Sequence, residues 1–132
     1  MKLTTHLALA VLGFAIITDT RIGLWVAVAH LLPAADVVLK YIYKYNVLHT
    51  VWGIIVMGFL YWANLPLMYP LLIGSHLLHV VMDILSPSGI EPFAPYGKKK
   101  LVWDVAYVET GVRAVSVIGT VAAALLRLAG YL

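Results

Sequence analysis

The sequence contains no cysteine, and only 11% of its 132 residues are charged. Without cysteine there is no disulfide framework, no thiol nucleophile and no thiolate metal ligand. Soluble domains have about 25% charged residues, so this chain has too little polar surface to cover an ordinary buried core. Phosphate-binding glycine loops and nucleophile elbows are also missing, and nothing in the sequence indicates a nucleic-acid partner.

Apolar residues, by contrast, make up 63% of the chain. They form stretches that approach the ~20 residues that a helix needs to cross hydrocarbon. The composition therefore predicts an all-α integral protein of the cell membrane, with one domain over residues 1–132. We expect a bundle of about five transmembrane helices, over residues 3–18, 22–39, 47–63, 67–85 and 102–128.

The basic residues predict an orientation, because cytoplasmic loops of membrane proteins are enriched in lysine and arginine. A cytoplasmic N-terminus and an outside C-terminus place Arg21 and Arg127 outside. The basic residues then inside are Lys2, Lys40, Lys44, Lys98, Lys99 and Lys100. The run of three lysines also predicts contact with anionic lipid headgroups. Small residues in the third and fifth segments, such as Gly58 and Gly119, indicate a homo-oligomer as a further possibility.

Several polar side chains fall at one predicted membrane level, the cytoplasmic ends of four helices. His79 and Asp83 are four residues apart, so they share one helix face. Imidazole nitrogens and carboxylate oxygens at this spacing bind divalent cations, and a nitrogen-rich set favours zinc. His76 extends the same face, and we expect it to support a ligand from behind. The predicted metal-binding set is His6, Asp36, His49, His79 and Asp83.

Other polar residues have plainer interpretations. A single histidine within an apolar helix usually bonds a neighbouring helix, which is the expectation for His30. A different interpretation makes His30 and His76 the axial ligands of a haem. Glu109 precedes Arg113 by one helical turn and is expected to pair with it. Asp104 is expected to be a charge at a helix N-terminus.

The segments HLALA, LLPAAD, VLHT and HVVMDILSPSGIEPFAP together resemble the membrane-bound metal-dependent hydrolase family (YdjM-like). The resemblance covers about residues 5–95, and its last block is the most specific part. It implies that the five residues of the predicted metal-binding set match positions of the family's motif. Two family positions differ, because Ala34 replaces an aspartate and Lys44 replaces a histidine.

Two functional hypotheses follow. The leading one is a hydrolase that acts on a phosphoester or lipid headgroup at the cytoplasmic interface. Its divalent ion would be held by His49, His79 and Asp83, with Asp36 as a further ligand or general base and His6 completing the set. The alternative is a catalytically inactive member with a structural or partner-binding role, in which the same polar side chains join the helices.

The loop after the fourth segment is the longest in the chain. Pro87 and Gly89 predict that the helix ends near Ser86, because proline disfavours helical geometry in the residue before it and glycine permits a chain reversal. Residues 90–96 are then expected to fold back over the polar pocket as a lid. Phe93 and Tyr96 would lie at the level of the lipid headgroups.

Overall fold

The computed structural model describes residues 2–97, 99–105 and 107–132, apart from the side chain of residue 37. Within these residues the fold is all-α, as predicted, with one isolated bridge between Ile90 and Leu101. A 3₁₀ turn, Leu32–Ala35, joins α2 to α3, so Thr20–Tyr43 is one continuous segment. The helices are α1 (Leu3–Ile16), α2 (Thr20–Leu31), α3 (Asp36–Tyr43), α4 (Val51–Asn64), α5 (Tyr69–Ile84) and α6 (Val108–Leu128).

Two of the five helical segments are long and apolar enough to cross a membrane. They are Thr20–Tyr43, with 24 residues, and Val108–Leu128, with 21 residues. Helices α1, α4 and α5 are apolar but have only 14, 14 and 16 residues. Since a perpendicular span needs ~20 residues, their length alone does not establish a crossing.

Local side-chain bonds set several helix boundaries. The Asp19 carboxylate accepts hydrogen bonds from the backbone N of Arg21 (2.8 Å) and of Ile22 (3.1 Å) at the start of α2. The Thr50 hydroxyl accepts from the backbone N of Gly53 at 3.1 Å, so α4 begins later than the apolar run predicted. Both are N-caps, which satisfy backbone N–H groups that have no helical partner.

The last helix begins at Val108, so the expected start at residue 102 was wrong. Residues 102–105 instead run without helical structure beside the end of α5, with Asp104 in the left-handed region at φ 44°. The backbone N of Trp103 donates to Ile84 O at 2.7 Å, and that of Val105 donates to Leu85 O at 2.9 Å. These bonds pair backbone carbonyls at the C-terminal end of α5 that have no helical partner. The pattern of apolar residues in the sequence does not indicate such bonds. Asp104 therefore lies outside the first turn of α6.

The acidic residue in that first turn is Glu109. Its carboxylate accepts a hydrogen bond from the backbone N of Lys2 at 3.1 Å, while Arg113 Nε donates to the backbone O of Glu109 at 3.4 Å. The Glu109 carboxylate thus bonds the residue before α1, and Arg113 bonds the backbone oxygen of Glu109.

The helices pack in the order α6, α1, α2, α5 and α4, so α2 lies in the middle. Helix α2 packs against α1 and α5, α5 also packs against α4, and α1 packs against α6. A small apolar core of Ala29, Tyr61 and Leu72 lies between α2, α4 and α5. Many large apolar side chains point outward instead, including Phe59 and Ile118, which are 63% and 69% exposed.

Candidate metal centre

The five residues of the predicted metal-binding set line one cavity of about 360 Å³. All five are buried, although they come from different parts of the chain. Helix α1 contributes His6, the start of α3 contributes Asp36, the loop before α4 contributes His49, and α5 contributes His79 and Asp83. The structure therefore brings together every residue that the sequence placed at one membrane level.

A continuous line of hydrogen bonds runs through the cavity. His49 Nδ1 lies 2.7 Å from Asp36 Oδ2, and His49 Nε2 lies 2.8 Å from Asp83 Oδ2. The other carboxylate oxygen of Asp83 is 3.2 Å from His6 Nε2. His79 Nε2 is farther from the carboxylate, at 3.7 Å from Asp83 Oδ2. Asp83 is thus the acceptor that connects α1, α5 and the loop before α4.

Asp36 holds the loop that carries His49. Its carboxylate accepts from the backbone N of Leu48 at 2.8 Å and from the backbone N of His49 at 3.1 Å, besides the His49 ring. These contacts explain why an aspartate begins α3: it fixes both the main chain and the side chain of His49. Its predicted part as a ligand or general base stays a prediction.

His49 lies between two carboxylates, in the loop between α3 and α4. Burial of the ring would by itself lower the pKa of His49, but the hydrogen bonds to Asp36 and Asp83 raise it to about 9. At neutral pH both ring nitrogens therefore carry protons. A divalent ion at this position has to displace the Nε2 proton.

His76 supports this loop from the opposite side. Its Nε2 donates to Leu48 O at 3.2 Å, and its Nδ1 lies 3.5 Å from the hydroxyl of Tyr61. Leu48 precedes His49 in the chain, so His76 lies behind a predicted ligand, as expected. The haem interpretation required His30 opposite His76, whereas the His30 ring lies against His6 and His79.

One ring nitrogen of His30 forms the expected hydrogen bond to a neighbouring helix. Its Nδ1 donates to Ser75 O on α5 at 3.1 Å. The position of the ring was not predicted: its centroid is 5.5 Å from that of His6 and 5.2 Å from that of His79. The rings of His6 and His79 are stacked, with centroids 3.6 Å apart. The only sequence signal for His30 was a histidine within an apolar helix.

Two groups of side chains in the described part of the chain have a geometry that fits a metal ion. One is His49, His79 and Asp83, and the other is His6, His30 and His79; in each, the candidate ligand atoms lie within 4.8 Å of one another. Imidazole nitrogen and carboxylate oxygen are ligands of Zn²⁺ and related divalent ions. The first group was predicted from the sequence, and the second was not.

The two positions that depart from the family pattern differ in their surroundings. Ala34 lines the cavity, so an aspartate there would add a carboxylate. Lys44 is exposed and lines a neighbouring cavity of about 200 Å³, together with Lys40 and Lys100. Lys40 lines both cavities.

The loop after α5 touches the cavity only at its beginning. Ser88 and Gly89 line the cavity, and Gly89 has a positive φ of 58°, as its predicted part in the chain reversal requires. Residues 90–96 pack against the start of α4, where Pro92 O accepts from the backbone N of Val51 at 2.8 Å. Phe93 and Tyr96 are exposed, at 60% and 87%. This bond joins the segment to the start of α4. No residue of 90–96 lines the cavity, so the expected lid over it was wrong.

Comparison of the chain with models of known protein families, with curated proteins and with solved structures gives no match. The resemblance to the membrane-bound hydrolase family stays a prediction, carried by the sequence motifs.

Proposed function

We propose that the protein is a metal-dependent hydrolase embedded in the cell membrane. The observation that carries the proposal is the buried group of His49, His79 and Asp83, whose ligand atoms lie within 4.8 Å of one another at a cavity. A bound divalent ion supplies Lewis acidity and lowers the pKa of water toward ~7. Zinc fits the nitrogen-rich ligand set best.

The residues around this group have separate tasks. Asp36 orients the His49 ring through Nδ1, and Asp83 faces both His49 and His6. Such carboxylates keep imidazole ligands in one orientation and increase their basicity. His76 fixes the main chain next to His49 through Leu48 O. The site is therefore preorganised before a substrate enters.

The charge around the cavity favours an anionic substrate. Lys40 lines the cavity itself, and Lys44 and Lys100 lie around the neighbouring one, with Glu91 as the acidic residue there. Clustered lysines raise the local concentration of anions and orient phosphate groups. A phosphoester, including one in a lipid headgroup, is the substrate class that this arrangement supports.

The membrane setting of the proposal comes from the exterior of the bundle. Exposed apolar side chains cover α4 and α6, for example Ile55, Phe59 and Val121. A water-soluble monomer rarely exposes such large apolar patches. We propose that all five helical segments cross the bilayer. The shorter helices α1, α4 and α5 would cross where the bilayer is thinner, or would end with polar residues at the interface. The N-terminus is cytoplasmic, and Lys98, Lys99 and Lys100 meet anionic headgroups. Of these, Lys98 lies outside the residues that the structure describes.

The test is to measure metal content and phosphoesterase activity of the purified wild type beside His79→Ala and Asp83→Ala. We expect the wild type to bind zinc and to hydrolyse a model phosphoester only with metal. Both variants should lose the hydrolysis and the ion held by His49, His79 and Asp83. Equal metal content in all three proteins would refute the site.

The hydrogen bonds themselves support a second candidate, an inactive structural protein. The line from Asp36 through His49 and Asp83 to His6 joins α1, α3 and α5 with protein atoms alone. In this alternative, Ala34→Asp with Lys44→His restores metal binding that the native chain lacks. Metal-dependent phosphoester hydrolysis by the native chain would exclude the alternative.

A further inference from the structure

We propose that His6, His30 and His79 form a second metal site, built from nitrogen ligands only. It lies beside the group of His49, His79 and Asp83 and uses His30, which the proposed hydrolase site does not need. The three rings come from α1, α2 and α5, and each is at most 3% exposed. One ring nitrogen from each lies within 4.8 Å of the other two.

The hydrogen bond of His30 determines which of its nitrogens is available. Ser75 O is a carbonyl oxygen and can only accept, so His30 Nδ1 carries the proton in this 3.1 Å bond. In the neutral ring, Nε2 then has a bare lone pair. This atom is buried and has no hydrogen-bond partner among the residues that the structure describes.

His6 shows the same arrangement with its nitrogens exchanged. Its Nε2 lies 3.2 Å from Asp83 Oδ1, a carboxylate oxygen that accepts the proton, so the lone pair is on Nδ1. His79 Nε2 also points toward Asp83, at 3.7 Å from Oδ2. Nδ1 of His6 and Nδ1 of His79 are both buried without a partner in the described part of the chain.

Three buried ring nitrogens without a hydrogen-bond partner in the described part of the chain therefore belong to three rings in mutual contact. Burying a polar atom without a partner costs about 1–3 kcal/mol, so three such atoms in one cluster are expensive. A metal cation can accept a lone pair from each ring once the stacked rings of His6 and His79, now 12° from parallel, turn toward it. Histidine ligands usually donate their second ring N–H to a carboxylate or a backbone carbonyl, and Asp83 and Ser75 O are in those positions.

The ligand type selects the ion. Three neutral imidazoles suit Zn²⁺, Co²⁺ or Cu²⁺, whereas Mg²⁺ and Ca²⁺ require oxygen ligands. His79 offers Nδ1 to this site and has Nε2 on the side of Asp83. As a neutral ring it holds one ion, and it holds an ion of each group only as a bridging imidazolate that has also lost its Nε2 proton. The two sites are therefore separable through His30 and His49, and not through His79.

The test uses one asparagine substitution for each site. In His30→Asn the amide N replaces Nδ1 as donor to Ser75 O, and only the Nε2 ligand is lost. His49→Asn is matched to it, because the amide keeps the donor toward Asp36. With zinc titrated into the purified full chain, we expect about two ions per chain in the wild type, about one in each variant, and none in the double variant.

Cobalt gives a second readout that does not depend on activity. We expect Co²⁺ in His49→Asn to show the visible absorption of a low-coordinate site with nitrogen ligands, and excess Mg²⁺ not to displace it. The double variant His30→Asn/His49→Asn should lose this absorption. It should keep the melting temperature of His49→Asn in the presence of a chelator, which shows that the fold is intact.

The outcomes separate the two proposals. Equal zinc binding by wild type and His30→Asn overturns the three-histidine site. In that case a water molecule or a shared proton would pair with the three ring nitrogens. If His49→Asn alone loses an ion, the hydrolase site stands and this one fails. If His30→Asn alone loses an ion, the reverse holds. Should His30→Asn not fold, His49→Asn decides: one zinc ion per chain supports the three-histidine site, and no bound zinc overturns it.

Discussion

His49 Nδ1 lies 2.7 Å from Oδ2 of Asp36, the residue that begins α3. The same carboxylate holds the backbone N of Leu48 and of His49, so one side chain fixes the orientation of a ring and of the loop that carries it. Asp36 therefore determines where the His49 ring nitrogens lie.

Replacing Asp36 with asparagine keeps the shape of the side chain and removes its charge. We expect the zinc affinity of the His49 site to fall about 10–100-fold, because a ligand's orienting carboxylate contributes this much. Competition with a chromophoric chelator measures the affinity, and Asp19→Asn at the start of α2 is the control. Unchanged affinity in Asp36→Asn would mean that His49 is oriented in another way.

Metal binding at the His49 site should release a proton. The pKa of His49 is raised to about 9, so the ring is charged at pH 7, whereas a ligand imidazole must be neutral. Zinc affinity should therefore increase as the pH rises from 7 toward 9. Calorimetry in buffers of different ionisation enthalpy counts the protons. His49→Asn should release fewer of them, and equal release would place the titrating group elsewhere.

Gly53 permits the close approach of the loop that carries His49. A Cβ added at Gly53 would lie 2.8 Å from Leu48 Cα and closer still to Val47 O. We expect Gly53→Ala to displace the loop, to destabilise the protein by about 1–3 kcal/mol and to weaken metal binding. Melting in detergent and zinc titration measure both effects. Gly74→Ala is the matched control, because nothing lies within 4 Å of its added Cβ.

Lys40 should act on the substrate and not on the metal. Because Lys40 lines both cavities, Lys40→Gln is expected to raise KM for an anionic phosphoester about tenfold while zinc content stays unchanged. The control is Lys99→Gln, since Lys99 is exposed and lies at neither cavity. Loss of zinc in Lys40→Gln, or equal KM values in the two variants, would contradict this assignment.

The sequence predicted the helical class and the residues that meet at the cavity for a simple reason. Apolar runs indicate helices, and polar residues placed at the same end of neighbouring helices can meet. This argument grouped the residues His6, Asp36, His49, His79 and Asp83. The spacing of His79 and Asp83 added a shared helix face. These arguments need no knowledge of how the helices are rotated.

Two features could not be predicted because they depend on contacts between distant parts of the chain. His30 lies deeper than Asp36, about 9 Å along a helix, and only the rotation of α2 against α5 turns its ring toward His79. Residues 102–105 are apolar apart from Asp104. They are not helical, and the backbone N of Trp103 and of Val105 satisfies the carbonyls of Ile84 and Leu85. Tertiary hydrogen bonds decided both cases.

The contact between the first and last helices has a consequence for biosynthesis. Helix α6 packs against α1, and two bonds reinforce the contact: Lys2 N with Glu109, and Arg127 with Ile17 O. Every residue of the candidate metal centre is translated before α6 emerges. A ribosome-bound chain that ends before residue 108 therefore holds all the metal ligands, but one side of α1 has no neighbour until the final helix is synthesised.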